Sequence, residues 1–203
     1  MNNLEQTNAL ISEFDFKKWR EEYLWKYPSR EASEKEIYRL ENSVKDNILK
    51  HGIRSQKDVL LDIVHWKTQG RQDHNFKANP DNLIESKVRE ALELINSNPD
   101  EPHRSIEKFI GLHGVMIPVA SAFLRFLDPD RHRFGIIDKH VAKFFNIKTK
   151  NINQYRDFNR TLHDIAHRLN EKGITFDMSG LPHDFDPVDV EMAIFAYCKQ
   201  NKE

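Results

Sequence analysis

Apolar residues recur three and four apart along most of the chain and nowhere sustain an alternation in steps of two. That pattern predicts helices throughout and no sheet. Phe16, Trp19, Tyr23 and Trp25 form one short aromatic helix after Leu10, Ile11 and Phe14, with a turn near Pro28. Ser33-x-x-Glu36 reads as a capping box opening a helix through Ile37, Leu40, Val44 and Ile48, which Gly52 ends. Ser55-x-x-Asp58 opens the next, with Val59, Leu60, Ile63, Val64 and Trp66 on its inner side and Gly70 as its stop. Gln69 to Asn79 reads as a polar loop. Asn79-Pro80 caps a third helix whose stripe is Leu83, Ile84, Val88, Ala91, Leu92 and Ile95.

The segment Asn96 to His103 (NSNPDEPH) is the clearest linker, dividing an N-terminal helical lobe (1–98) from a second lobe (99–203), unless the two form one integrated domain. Ser105 opens a helix through Ile106, Phe109 and Ile110, and a turn follows at Gly114. Met116 to Leu127 is apolar on every side except at Arg125, which marks a central helix, and Pro118 fits because it lies in the first turn. Asp128-Pro129-Asp130 breaks that helix and Arg131 to Gly135 form a loop. The next helix starts near Asp138 with Val141, Phe144 and Phe145 inside. Another runs from about Asn153 to Gly173 through Tyr155, Phe158, Leu162, Ile165, Ala166 and Leu169. Asp186-Pro187 caps the last, which carries Val190, Ala193, Ile194 and Tyr197. The expected fold is all-α, a compact helical domain around a central helix–turn–helix.

Composition narrows the classes. The 203 residues are 38% hydrophobic and 31% charged, with 13 Phe and only 7 Gly, which suits a helix-rich globular chain rather than a disordered one. A single cysteine, Cys198, excludes an internal disulfide and any four-cysteine zinc or iron–sulfur site within the chain, so the expected location is a reducing cytoplasm. No apolar run approaches the roughly 20 residues of a membrane span, and Met1–Phe16 lacks the basic-then-apolar order of a signal peptide. No membrane partner is expected. The net charge of −1 gives no global attraction to nucleic acid. Between Arg125 and Lys150, however, seven basic residues stand against three acidic ones.

Candidate chemistry concentrates in that region. Leu112, His113, Gly114, Val115 and Met116 form a short turn between two helices, and such a turn directs successive backbone N–H groups outward at the start of the second helix. These groups make a phosphate site without basic side chains. Beyond it, Ile136-Ile137-Asp138-Lys139-His140 places a carboxylate straight after an apolar pair at a helix start. Here the sequence resembles the helix-hairpin-helix DNA glycosylase superfamily. That family's hairpin of leucine, proline, glycine, valine and glycine falls on Leu112-His113-Gly114-Val115-Met116. Its following alanine falls on Ala120, and its later valine, aspartate, threonine, histidine and valine fall on Ile137-Asp138-Lys139-His140-Val141. The match is firm over residues 105–146.

The resemblance implies a DNA-binding, base-excising hydrolase of DNA repair, with double-stranded DNA as partner and no cofactor. It assigns the catalytic carboxylate to Asp138 and the phosphate grip to Leu112, Gly114 and Met116. A fixed carboxylate there stabilises the positive charge that develops on the sugar, or positions the attacking water, once the base has left the stack. The chain departs from the family at several positions. Pro118 stands where lyase-competent members carry the Schiff-base lysine, so a monofunctional glycosylase without lyase chemistry is expected. His113 replaces proline, Met116 replaces the second glycine, and the iron–sulfur cysteines of some members are absent.

Each residue also has a plainer role. Asp138 is a good N-cap, His140 a satisfied structural histidine that supports the site, and Trp66 a core aromatic, while Trp66 and Phe76 are also the candidates to line a base pocket. Arg131, Arg133, Lys139 and Lys143 are the candidate phosphate contacts, and Arg125, Arg131 and Arg133 are alternatively partners of Asp128 and Asp130. Two other functions remain open. One is a non-catalytic member of the same architecture that binds nucleic acid or protein. The other is a metal-dependent phosphohydrolase using His140, His163-Asp164 and Asp177, or the His163/His167 pair on one helix face. Asp128-x-Asp130 is not a calcium loop, because Arg133 occupies the position where that turn needs glycine.

Overall fold

A computed structural model describes residues 10–25, 29–178 and 180–201, without the side chains of residues 24, 25 and 29–35. The chain is mostly helical. In order, the helices are α1 (Phe16–Trp25), α2 (Ser29–Val44, continued by one wider turn over Lys45–Leu49), α3 (Gln56–Thr68), α4 (Asp73–Lys77), α5 (Asp81–Ser97) and α6 (Pro102–Ile110). They continue as α7 (Ile117–Leu127), α8 (Lys139–Phe144), α9 (Ile152–Glu171) and α10 (Pro187–Gln200), with β1 (Phe176–Met178) and β2 (Leu181–His183) between the last two.

The central helix is α7, as its composition predicts. Every residue but Pro118 is buried, and Phe123 packs edge-on against Phe109 of α6 and Phe76 of α4, with ring centroids 5.1 and 5.9 Å apart. Arg125, 4% exposed, is tolerated because its guanidinium donates to Glu41 of α2 at 2.7 Å. A buried charge requires such a partner. Around α7 one continuous apolar cluster takes residues from both sides of position 98. α10 packs along α1 and against α8 and α9.

Several expectations are corrected. The two strands form an antiparallel pair, Phe176 facing His183, too short to show an alternating pattern. The span Gln69–Asn79 holds α4, whose Phe76 is completely buried, so it is not simply a polar loop. Asn79 does not cap α5, because Pro80 is the capping residue and no side-chain bond is made there. The interruption at Asn96–His103 shrinks to residues 98–101, since α5 runs to Ser97 and Pro102 is already the first residue of α6; Ser105 lies inside that helix. Leu83 is exposed rather than in the stripe, and Phe144 and Phe145 are only half-buried. α2 starts at Ser29, before Ser33; the side chain of Ser33 and its capping box lie outside the described residues, as does the turn near Pro28.

Candidate functional site

The turn between α6 and α7 is built by side chains beneath it. Asn79, 1% exposed, treats His113 as a strand treats its neighbour. Its Oδ1 accepts from His113 N at 2.8 Å, and its Nδ2 donates to His113 O at 3.0 Å and to Phe76 O at 2.8 Å. Gly114 takes a left-handed φ of 78°, and a Cβ there would stand 3.1 Å from Phe76 N and 3.2 Å from Gln72 O. Only glycine fits both demands. Leu112 and Val115 are buried anchors, whereas the Met116 side chain is 62% exposed. The N–H groups of Gly114 and Met116 have no acceptor among the described residues, while that of His113 is occupied by Asn79.

Asp138 is the N-cap of α8, as its position in the sequence suggests. Its Oδ1 accepts from His140 N and Val141 N, both at 2.8 Å. The loop leading to it is pinned on both sides. Ile137 N donates to Ser121 Oγ of α7 at 3.2 Å, and Gly135 N donates to Asn159 Oδ1 at 3.1 Å. Tyr155 donates its hydroxyl to Gly135 O at 3.0 Å. A carboxylate so held needs little reorganisation when charge develops beside it.

The half-buried Asp138 opens on a cleft of about 640 Å³. Trp66 and Lys67 from the end of α3, Tyr23 from α1 and Pro118 from the first turn of α7 line it, with Glu191, Phe195 and Lys199 from α10. Trp66 is therefore a wall residue rather than core, edge-on to Phe126 at 5.5 Å, and Phe76 is core rather than wall. Residues 112–116 do not line the cleft; the link to the turn is Pro118. A neighbouring groove of about 670 Å³ shares Lys139 and His140 and adds Lys143, Phe144, Tyr197 and Cys198. Burial, and next the charge of Asp138, push the Cys198 thiol up, which keeps it protonated and unreactive.

Glu191 and Lys67 are the residues that sequence reasoning missed. Glu191 is 7% exposed, and burial pushes its carboxyl up to about 8. Lys67 and Arg125 pull it down, Asp138 pushes it further up, and a hydrogen bond with the backbone of Ile136 lowers it slightly. Burial lowers Lys67, while Asp138 and Glu191 oppose that shift. The available signal was a lone carboxylate in the apolar run Val190 to Tyr197. The helix that carries Glu191 is itself anchored. Asp186 and Asp189 form a reciprocal capping box, Asp189 Oδ1 accepts from Arg20 Nε at 2.7 Å, and Asp186 Oδ2 pairs with His132 Nδ1 at 2.8 Å. The loop of Asp138 and the start of α10 are thus tied together.

The basic candidates divide. Arg133 is locked by two bonds to Asp128, at 2.8 and 2.9 Å, and Asp130 pairs with Lys45 at 2.7 Å. Arg131, Lys139 and Lys143 are exposed. His163 contacts Arg133 O at 2.8 Å and His167 pairs with Glu171, and among the described residues no three of His, Cys, Asp or Glu are grouped to hold a metal. Among the described residues, His140, His163, Asp164 and Asp177 are thus not gathered into one group of metal-ligating side chains. No family model, curated protein or solved structure matched the chain on comparison.

Proposed function

We propose that the chain binds duplex DNA through the α6–α7 turn and the exposed Lys139 and Lys143, and hydrolyses the N-glycosidic bond of an extruded base with Asp138. The observation that carries this reading is the setting of Asp138. Two N–H groups hold one of its oxygens, and it borders a cleft whose volume falls within the roughly 300–1,000 Å³ of ligand pockets. Tyr23, Trp66 and Phe195 supply the aromatic surface that an unstacked base needs. Pro118 at the cleft edge offers no amine, in keeping with hydrolysis rather than lyase chemistry at that position.

The test is release of free base from a panel of damaged duplexes. Asp138→Asn, which keeps a capping side chain, should lower release by about 100-fold or more while duplex affinity and melting temperature stay within error. Release at the wild-type rate in that variant would overturn the assignment.

A second reading is favoured by Met116, whose exposed side chain stands on the outer face of the turn, and by Asn79, which occupies the backbone of His113. A turn so obstructed suits a non-catalytic binder of nucleic acid or protein. Salt-dependent duplex binding without release of any base is its signature.

A further inference from the structure

Glu191 and Asp138 come from distant parts of the sequence and line the same cleft, with Lys67 interacting with both. Glu191 is the more enclosed of the two, and four elements put charged or titratable groups against it: Lys67 of α3, Arg125 of α7, Asp138 at the head of α8 and Tyr155 of α9. Lys199, one helical turn pair further along α10, acts on it through Lys67. A carboxyl in that setting keeps its proton at neutral pH, to about 8. It is then a hydrogen-bond donor, whereas the capped Asp138 is placed to accept. The cleft wall otherwise carries the basic side chains Lys67, Arg71, Lys139 and Lys199.

We propose that Glu191 is the acid that protonates the departing base, and that the substrate is a neutral base rather than a cationic alkylated one. The proposal rests on the base-excision reading above and adds the leaving-group half of the reaction. The C1′–N bond breaks with its electron pair passing to the base, which takes the Glu191 proton on a ring nitrogen or exocyclic oxygen. Water adds its oxygen to C1′ and gives a proton to Asp138, and solvent returns that proton to Glu191. The products are the neutral free base and an abasic sugar. A base already cationic from alkylation leaves as a neutral molecule without an acid, and the lysines and arginine of the wall repel it on entry. A dedicated acid is useful only where the leaving group would otherwise depart as an anion.

The experiment measures single-turnover base release by the full chain from duplexes carrying hypoxanthine, uracil or 8-oxoguanine, and separately 7-methylguanine as the cationic probe, from pH 5 to pH 10. Release of at least one neutral base is expected, constant at low pH and falling about tenfold per pH unit above about 8. Glu191→Gln should lower it by about 100-fold or more and abolish the alkaline fall. Release of 7-methylguanine should be slower than of the neutral base, and no slower in the variant than in the wild type. If Glu191→Gln does not melt cooperatively, the wild-type pH profile and the base preference decide alone. Neutral-base release that stays flat to pH 10, survives Glu191→Gln, or fails instead in Lys67→Gln overturns the acid and leaves the base-excision reading standing. Preference for 7-methylguanine overturns the substrate class. No release of any base at any pH overturns the base-excision reading, and the acid with it.

Discussion

Glu191 ties the chemistry of the cleft to the stability of the molecule. Unfolded, its carboxyl ionises near its ordinary value of 4.5, and folded it does so at about 8. Between those values the folded state binds more protons than the unfolded chain, so the unfolding free energy falls as pH rises. His132 acts with the same sign. Its bond to Asp186 raises it above its ordinary 6.5, so the stability it contributes is complete below that value and is lost as pH climbs through the raised one. Asp189, pushed up mainly by burial, acts with the same sign, and the lowered Lys67 acts with the opposite one. The protein should therefore be more stable at pH 5.5 than at pH 8, with Glu191 contributing of order 3 kcal/mol to the difference. Urea denaturation at the two values measures this. Glu191→Gln should flatten the slope and raise the midpoint at pH 8; an unchanged slope would refute the assignment of the proton to Glu191.

Among elements, the α6–α7 turn depends most on one residue outside it. Asn79→Ala removes three hydrogen bonds and leaves the N–H and C=O of His113 without their buried partner, while Phe76 C=O keeps the Asn79 backbone N–H at 3.1 Å, a loss of about 2–4 kcal/mol. Gly114→Ala forces a Cβ into a left-handed position against α4 and should destabilise by about 1–2 kcal/mol. Both are read as a lowered urea midpoint, and both should weaken duplex binding if the turn carries it. The helices themselves were legible, because each buries a stripe that its own spacing declares; all six apolar residues expected inside α9 are buried. The capping role of Asp138 was legible for the same local reason. What periodicity did not reveal is what depends on two distant segments at once: the pairing of Asn79 with His113, the docking of Phe76 that turns a polar stretch into α4, and the meeting of Lys67, Asp138 and Glu191 in one cleft. Trp66 illustrates the limit, since its spacing places it on the inner side of α3 but only α10 and α1, packing nearby, decide that this side ends in a cleft.

For the whole molecule, net charge would be a poor guide to the duplex binding proposed above. The chain carries −1 overall, and the basic excess between Arg125 and Lys150 looks large in sequence. Folding withdraws part of it. Arg125 turns inward to Glu41, and Arg133 is held by Asp128, which is itself buried. Lys139 and Lys143 remain exposed beside the two grooves, with Arg131 exposed on the loop before them. Two or three phosphate contacts from that set give a slope of log affinity against log salt of about −2 to −3, whereas engagement of all seven basic residues would give about −6. Fluorescence anisotropy of a labelled duplex across a salt series separates the two. Lys139→Gln with Lys143→Gln should flatten the slope by about two, because each removes one neutralised phosphate. Arg133→Gln should leave the slope alone and instead lower the urea midpoint, since it strands the buried carboxylate of Asp128. A slope near −6, or one that falls in Arg133→Gln, would mean that these internal ion pairs open to meet DNA, and that the interface is larger than the exposed lysines define.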